Sequence, residues 1–131
     1  MAYNLPTRQF FSVTLIFFFV NPCFAKWELI SSGYLGNVYI DVKTIKKRNN
    51  YIVAWQLQDL NSPDKFGIRS RRILFEFDCD NNKRRIIYLS AHSEQMAKGE
   101  VLQTSGKISS WNNPLPKSLG ERILKRICTN L

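Results

Sequence analysis

The sequence predicts an α+β fold: an antiparallel β-meander sheet with a C-terminal helix packed on it, tied by one disulfide. Three observations carry this. From Trp27 to about Ser110, short alternating runs are separated by turn residues, with no helical periodicity of comparable strength. From Ser118 the period becomes helical, and removal of an N-terminal leader leaves one cysteine in each of these two regions.

Residues 1–25 read as a secretory signal. Arg8 supplies a positive n-region, Phe10 to Val20 form an apolar h-region of 11 residues, and Cys23-Phe24-Ala25 ends on a small residue suited to cleavage before Lys26. An uncleaved anchor is the competing reading, but 11 residues fall well short of the roughly 20 needed to cross the hydrocarbon core. Lipid attachment at Cys23 is disfavoured by Asn21 and Pro22, where small residues are wanted. Cleavage removes Cys23 and leaves Cys79 and Cys128 as the only thiols in an oxidising compartment, so an intramolecular disulfide is the default expectation. The mature chain, residues 26–131, is then one domain of 106 residues with no stretch apolar enough to span a bilayer.

The strands follow in order. Trp27 to Ser32 is the first, closed by Ser-Ser-Gly; Asn37 to Lys43 alternates Val38, Ile40 and Val42 against Tyr39, Asp41 and Lys43. After a turn at Arg48-Asn49-Asn50, Tyr51 to Leu60 sets Tyr51, Val53, Trp55 and Leu57 on one face, and mid-strand Trp55 reads as core. Asn61-Ser62-Pro63-Asp64 breaks the strand, because proline lacks the donor a ladder needs and Asn and Asp close turns. From Arg69 to Cys79, the residues Ile73, Phe75, Phe77 and Cys79 share one face, which points Cys79 to the core. A hairpin over Asp80 to Lys83 returns the chain antiparallel from Arg84 to His92. A short helical turn is expected around Glu94 to Lys98, closed by Gly99, and a last edge strand over Gly106 to Trp111. Asn112 to Pro116 is irregular.

Ser118-Leu119-Gly120-Glu121 has the form of a capping box and starts the helix. Leu119, Ile123, Leu124, Ile127 and Cys128 gather on one side of it, with Lys125 and Arg126 in the last turn, where the dipole favours cations. Cys128 is well placed to bond Cys79 if their Cα atoms come within about 7 Å.

In the order and spacing of these elements the mature chain resembles the surface-adhesin protein E family of small secreted bacterial proteins. The resemblance rests on Trp27-Glu28-Leu29-Ile30, Tyr39-Ile40-Asp41 followed by Thr44-Ile45, and Val53-Ala54-Trp55. It continues with Phe77-Asp78-Cys79, Arg84-Arg85, Tyr88, Trp111 before a proline turn, and a closing helix with Cys128. It implies a helix on an antiparallel sheet, bridged cysteines, a place at the bacterial envelope, and binding of host extracellular-matrix or plasma proteins. Only the cysteine pair carries over residue by residue.

Charge points to the same class of partner. Arg8 leaves with the leader, so 18 of the 19 Lys and Arg remain against 10 Asp and Glu, a formal charge of +8. Such an excess favours anionic glycans, anionic lipid head groups or acidic protein surfaces, and export makes nucleic acid the least fitting. The ligand-binding candidates are Arg69, Arg71 and Arg72 on one strand of the central hairpin and Lys83, Arg84 and Arg85 on the other, joined by Lys43, Lys46, Lys47 and Arg48. Antiparallel pairing sets the two groups at opposite ends, and compensation by Asp78, Asp80 and Glu94 is the plainer reading. Trp27 and Trp111 either staple the sheet edges or stand exposed for a partner.

Catalysis finds little support. His92 is the only histidine, and a lone histidine at a strand end reads as a surface residue. Glu76 and Asp78 share a strand face, as a glycosidase pair must, but stand among basic groups and read as a solvated face with cross-strand partners. No cofactor, metal site or catalytic motif is expected. The expectation is a non-enzymatic exported binding protein, an adhesin being one form and a periplasmic accessory protein of the envelope the alternative.

Overall fold

The computed structural model describes residues 25–129, together with residues 2, 3, 6 and 14–17. Most of the leader expected over residues 1–25 therefore lies outside the described residues. One antiparallel sheet of seven strands carries the fold. β1 (Trp27–Ser32), β2 (Gly36–Asp41), β4 (Tyr51–Leu60), β5 (Ser70–Asp78), β6 (Lys83–His92) and β7 (Val101–Ser105) lie side by side in that order. β3 (Lys46–Arg48) pairs with the start of β4, beside β2, which pairs with its end. Among the described residues one α-helix, α1 (Leu119–Cys128), covers one face.

Alternation on β5 reads as expected: Ile73, Phe75 and Phe77 point toward α1 and form the core with Ile40, Ile52, Ala54, Ile123, Leu124 and Ile127. Burial of this set, rather than helix propensity, holds a ten-residue helix that is too short to persist in water. Ser118 caps it by accepting from Glu121 N–H at 3.2 Å. The reciprocal half of the capping box is not made, since Ser118 N–H donates to the Leu115 carbonyl. The Glu121 carboxylate instead accepts from Lys125 Nζ at 2.9 Å. Arg126 grips Glu28 of β1 through Nε at 3.2 Å and one terminal nitrogen at 2.6 Å. The expected disulfide joins Cys79, just past β5, to Cys128 across a Cα separation of 5.7 Å.

Two departures have plain causes. The last edge strand is Val101–Ser105, not Gly106 to Trp111, and four of its five residues are exposed. An edge strand wetted on both sides has no reason to alternate, so its pattern is silent. The residues after it touch β6 only in places, through Ser109 N–H to the Ile86 carbonyl and an isolated bridge between Arg84 and Asn112. The short helical turn is present as Gln95–Ala97, with Met96 and Ala97 at φ 59° and 57°. That left-handed pair is held from below: Asp59 accepts from Met96 N–H at 2.8 Å and Ser70 Oγ from Ala97 N–H at 3.0 Å.

The second departure concerns β4, the strand at the middle of the sheet. Ile52 and Ala54, not Trp55, face the helix, and Gln56 is buried on their side. Both faces of this strand are apolar over its first half, so alternation cannot tell which one the helix takes. Trp55 lies on the face that α1 leaves uncovered. A bulge on β6 also matters: Leu74 pairs with Tyr88 and Phe75 with Ile86, so Ile87 is an extra residue.

Candidate functional site

The helix-free face of the sheet carries two adjoining hollows. One, of about 630 Å³, is lined by Arg48, Trp55, Glu76, Arg85, Tyr88 and Ile108 among others. The second, of about 620 Å³, is lined by Lys43, Thr44, Lys46, Lys47, Arg48 and Val53. Trp55 and Leu74 line both hollows, so Trp55 forms part of their common wall.

Cross-strand register builds this wall. Trp55 stands opposite Leu74, which stands opposite Tyr88, and the Trp55 and Tyr88 rings meet edge to face at 6.0 Å. The Arg72 guanidinium lies 3.9 Å from the centre of the Trp55 ring, a cation–π contact. Arg85 lies 4.3 Å from the centre of the Trp111 ring and pairs with Glu76 at 2.6 Å. Trp111 in turn sits 5.0 Å from Tyr51, so it closes the end of the wall rather than standing free. Glu76, expected on a solvated face, is 7% exposed, but its cross-strand partner is the expected kind. Asp78 instead holds the hairpin, accepting from Asn81 N–H at 3.2 Å and from its side-chain amide at 2.9 Å.

Of the six arginine and lysine candidates, only Arg72 and Arg85 meet the aromatic wall. Their strands run as expected: Lys83 pairs with Asp78 and Arg72 with Ser90, so the two groups begin at opposite ends. Arg69 donates to the Asn61 carbonyl at 3.3 Å and Arg71 is paired with Asp64 beside the β4–β5 connection. Lys83 sits at the hairpin end. Arg84 takes the helix side, 4.7 Å over the Phe75 ring, where burial pulls its pKa below the usual arginine value. Gly120 of α1 leaves room for it, because a Cβ there would come within 2.7 Å of the guanidinium.

The group treated in the sequence as an adjunct is the better placed one. Lys43, Lys46, Lys47 and Arg48 are exposed and line the second hollow, and among the described residues none of them has a carboxylate within ion-pairing distance. Lys46 and Arg48 sit on β3, whose pairing with Val53 and Tyr51 sets them on the Trp55 side. Cationic donors around an aromatic surface suit sulfate or carboxylate oxygens on a carbon framework.

His92 is buried rather than on the surface, with Nε2 2.9 Å from Ser90 Oγ and Nδ1 without a hydrogen-bond partner. Among the described residues no carboxylate accepts from the ring, as the orienting group of a serine–histidine pair does. Burial, and secondarily the Arg72 charge, hold the imidazole below its ordinary pKa. The unfolded chain then takes up a proton near pH 6.5 that the folded chain refuses, so stability is complete above about pH 6.5 and falls as pH drops below it. A His92→Gln variant is expected to flatten that slope below about pH 6.5 in urea-unfolding titrations, and an unchanged slope would assign it elsewhere.

With this geometry, the comparison with protein families is decisive: residues 27–129 match the family described as surface-adhesin protein E. The chain belongs to the surface-adhesin protein E family. Membership makes it an adhesin-type surface protein and implies an exported or surface location. Among the described residues no helix is long and apolar enough to cross a membrane. A search of curated proteins gives no match. Among solved structures, crystal form II of Haemophilus influenzae protein E is 18% identical with a TM-score of 0.61, covering 71% of this chain and 80% of that one. A further structure, of protein E from non-typeable Haemophilus influenzae, is 17% identical with a TM-score of 0.60 over 83% and 80% of the two chains. At such identities the likeness speaks for the fold.

Proposed function

We propose that this member of the family is exported through a leader cleaved before Lys26 and acts without catalysis, as an adhesin. It holds acidic ligands, anionic glycan or acidic segments of host extracellular-matrix proteins, on its helix-free face. The observation that carries this reading is the set of four cations, Lys43, Lys46, Lys47 and Arg48, which have no carboxylate partner among the described residues and lie beside the Trp55 wall. The cations steer and select, while the aromatic wall offers apolar contact area. Arg72 and Arg85 act by fixing the tryptophans, since each stacks on one.

Reversing Lys46, Lys47 and Arg48 to glutamate is expected to weaken binding to immobilised heparin and laminin by at least about tenfold at low salt, equivalent to 1.4 kcal/mol. Surface plasmon resonance over a salt series checks it. Binding of the wild-type protein should weaken with added salt, and reversal without effect on heparin or laminin would remove this face from consideration. Reversing Arg69 and Lys83, which lie away from the wall, serves as the control for charge alone.

A further inference from the structure

Asp41 ends β2 and is completely buried. Its Oδ1 accepts N–H from Lys26 at 3.0 Å and from Lys43 at 3.1 Å, while Oδ2, equally shielded from solvent, has no hydrogen-bond partner. Among the described residues no lysine or arginine side chain pairs with it. An ionised carboxylate buried without a cation is costly, so the position calls for a positive charge that the described residues of the unprocessed chain do not supply. The atom that touches the carboxylate is the backbone nitrogen of the residue at which the leader is read to end. Ala25 and Lys26 are both exposed, and the Lys26 carbonyl is fixed by Val42 N–H at 3.1 Å.

We propose that Asp41 is the binding site for the N-terminal α-ammonium created when the leader is removed. A signal peptidase adds one water across the Ala25–Lys26 bond. The hydroxyl goes to the Ala25 carbonyl carbon and the proton to the Lys26 nitrogen as the C–N bond breaks; the acid proton of Ala25 then passes to that amine. Ala25 leaves as a carboxylate, and Lys26 remains as an ammonium with three donors where the amide had one. One donor keeps the bond to Oδ1, another serves Oδ2, and the buried carboxylate gains its counter-charge in place. Processing thereby tightens the β1–β2 edge, and the uncleaved precursor carries a destabilised one. The proposal goes beyond ligand binding and rests on cleavage before Lys26.

The test uses the full-length chain exported to a bacterial periplasm, with or without Gly-Ser inserted between Ala25 and Lys26, each with Asp41 or Asp41→Asn. Mass spectrometry should find the unmodified product starting at Lys26 and the inserted one at the new glycine. Urea unfolding should then show the two changes to be coupled by about tenfold or more in the folding equilibrium constant, the insertion costing stability only when Asp41 is present. Additive effects, or a product starting elsewhere, overturn the proposal and leave the heparin and laminin result standing. Should Asp41→Asn fail to fold, acylation of the unmodified protein decides: the Lys26 α-amine should react about tenfold more slowly in the folded than in the urea-unfolded state. Equal rates would refute it.

Discussion

Replacing Cys79 and Cys128 together by alanine is expected to lower the unfolding free energy by about 4 kcal/mol, a large part of the roughly 5–15 kcal/mol typical of a domain. The two residues are 49 positions apart, and closing a loop of that length restricts the unfolded chain strongly. The loss also has a local side. α1 is ten residues long and meets the sheet through Ile123, Leu124 and Ile127, so without the covalent tie its last turn depends on Ile127 and on the Arg126–Glu28 pair. Urea unfolding followed by far-ultraviolet circular dichroism measures both effects, and wild-type protein in reductant should match the double variant. A midpoint that does not move on reduction would show that apolar packing alone keeps the helix in place.

Phe77→Ala in the disulfide-bonded protein is expected to cost roughly 3–5 kcal/mol, the range for emptying a buried aromatic site. Phe77 is 1% exposed and tilts against Phe75 with ring centres 6.0 Å apart, facing Ile52 across the ladder. Nothing nearby is free to fill the space, because the covering helix is tethered at Cys128. Phe77→Leu, which keeps much of the volume, should cost far less. Because Phe77 points to the helix side, any Phe77→Ala protein that remains folded should hold heparin as before, whereas Trp55→Ala should lose affinity with little loss of stability. The reverse pattern would mean that the two faces have been assigned the wrong way round.

Much of this architecture is legible in the chain. β1 and β4 run over the expected residues, Ile73, Phe75 and Phe77 face the helix, and both cysteines fall where their strand and helix periods place them. β5 and α1 bury one face, so that face must be apolar and the pattern shows it. β7 was illegible because it is wetted on both sides, and for β4 the bounds could be read but not the facing, because it is apolar on both. The site was less legible than the fold for the same reason. Trp55 looks like core in one dimension, and only the position of α1 turns its face into an open wall. Arg84 and Arg85 are neighbours in sequence, yet strand geometry sends the first under the helix and the second onto Trp111. Lys43, Lys46, Lys47 and Arg48 were visible as a charge run, but β3, three residues long and fully exposed, leaves no periodic trace to say which way they face.

The extra residue at Ile87 reaches further than its own position. Arg85 and Tyr88 are three apart, an odd spacing that on a regular strand would send them to opposite sides, yet both line the same hollow. Likewise Ile86 and Leu89 both reach the core. The irregularity thus acts as a phase correction that lets one strand serve two sides at once. Loss or gain of a single residue there would exchange Tyr88, Ser90 and His92 with Leu89 and Ala91 between the two faces of the sheet. This segment can therefore change length only in steps of two, and its numbering is as strongly constrained as any side chain it carries.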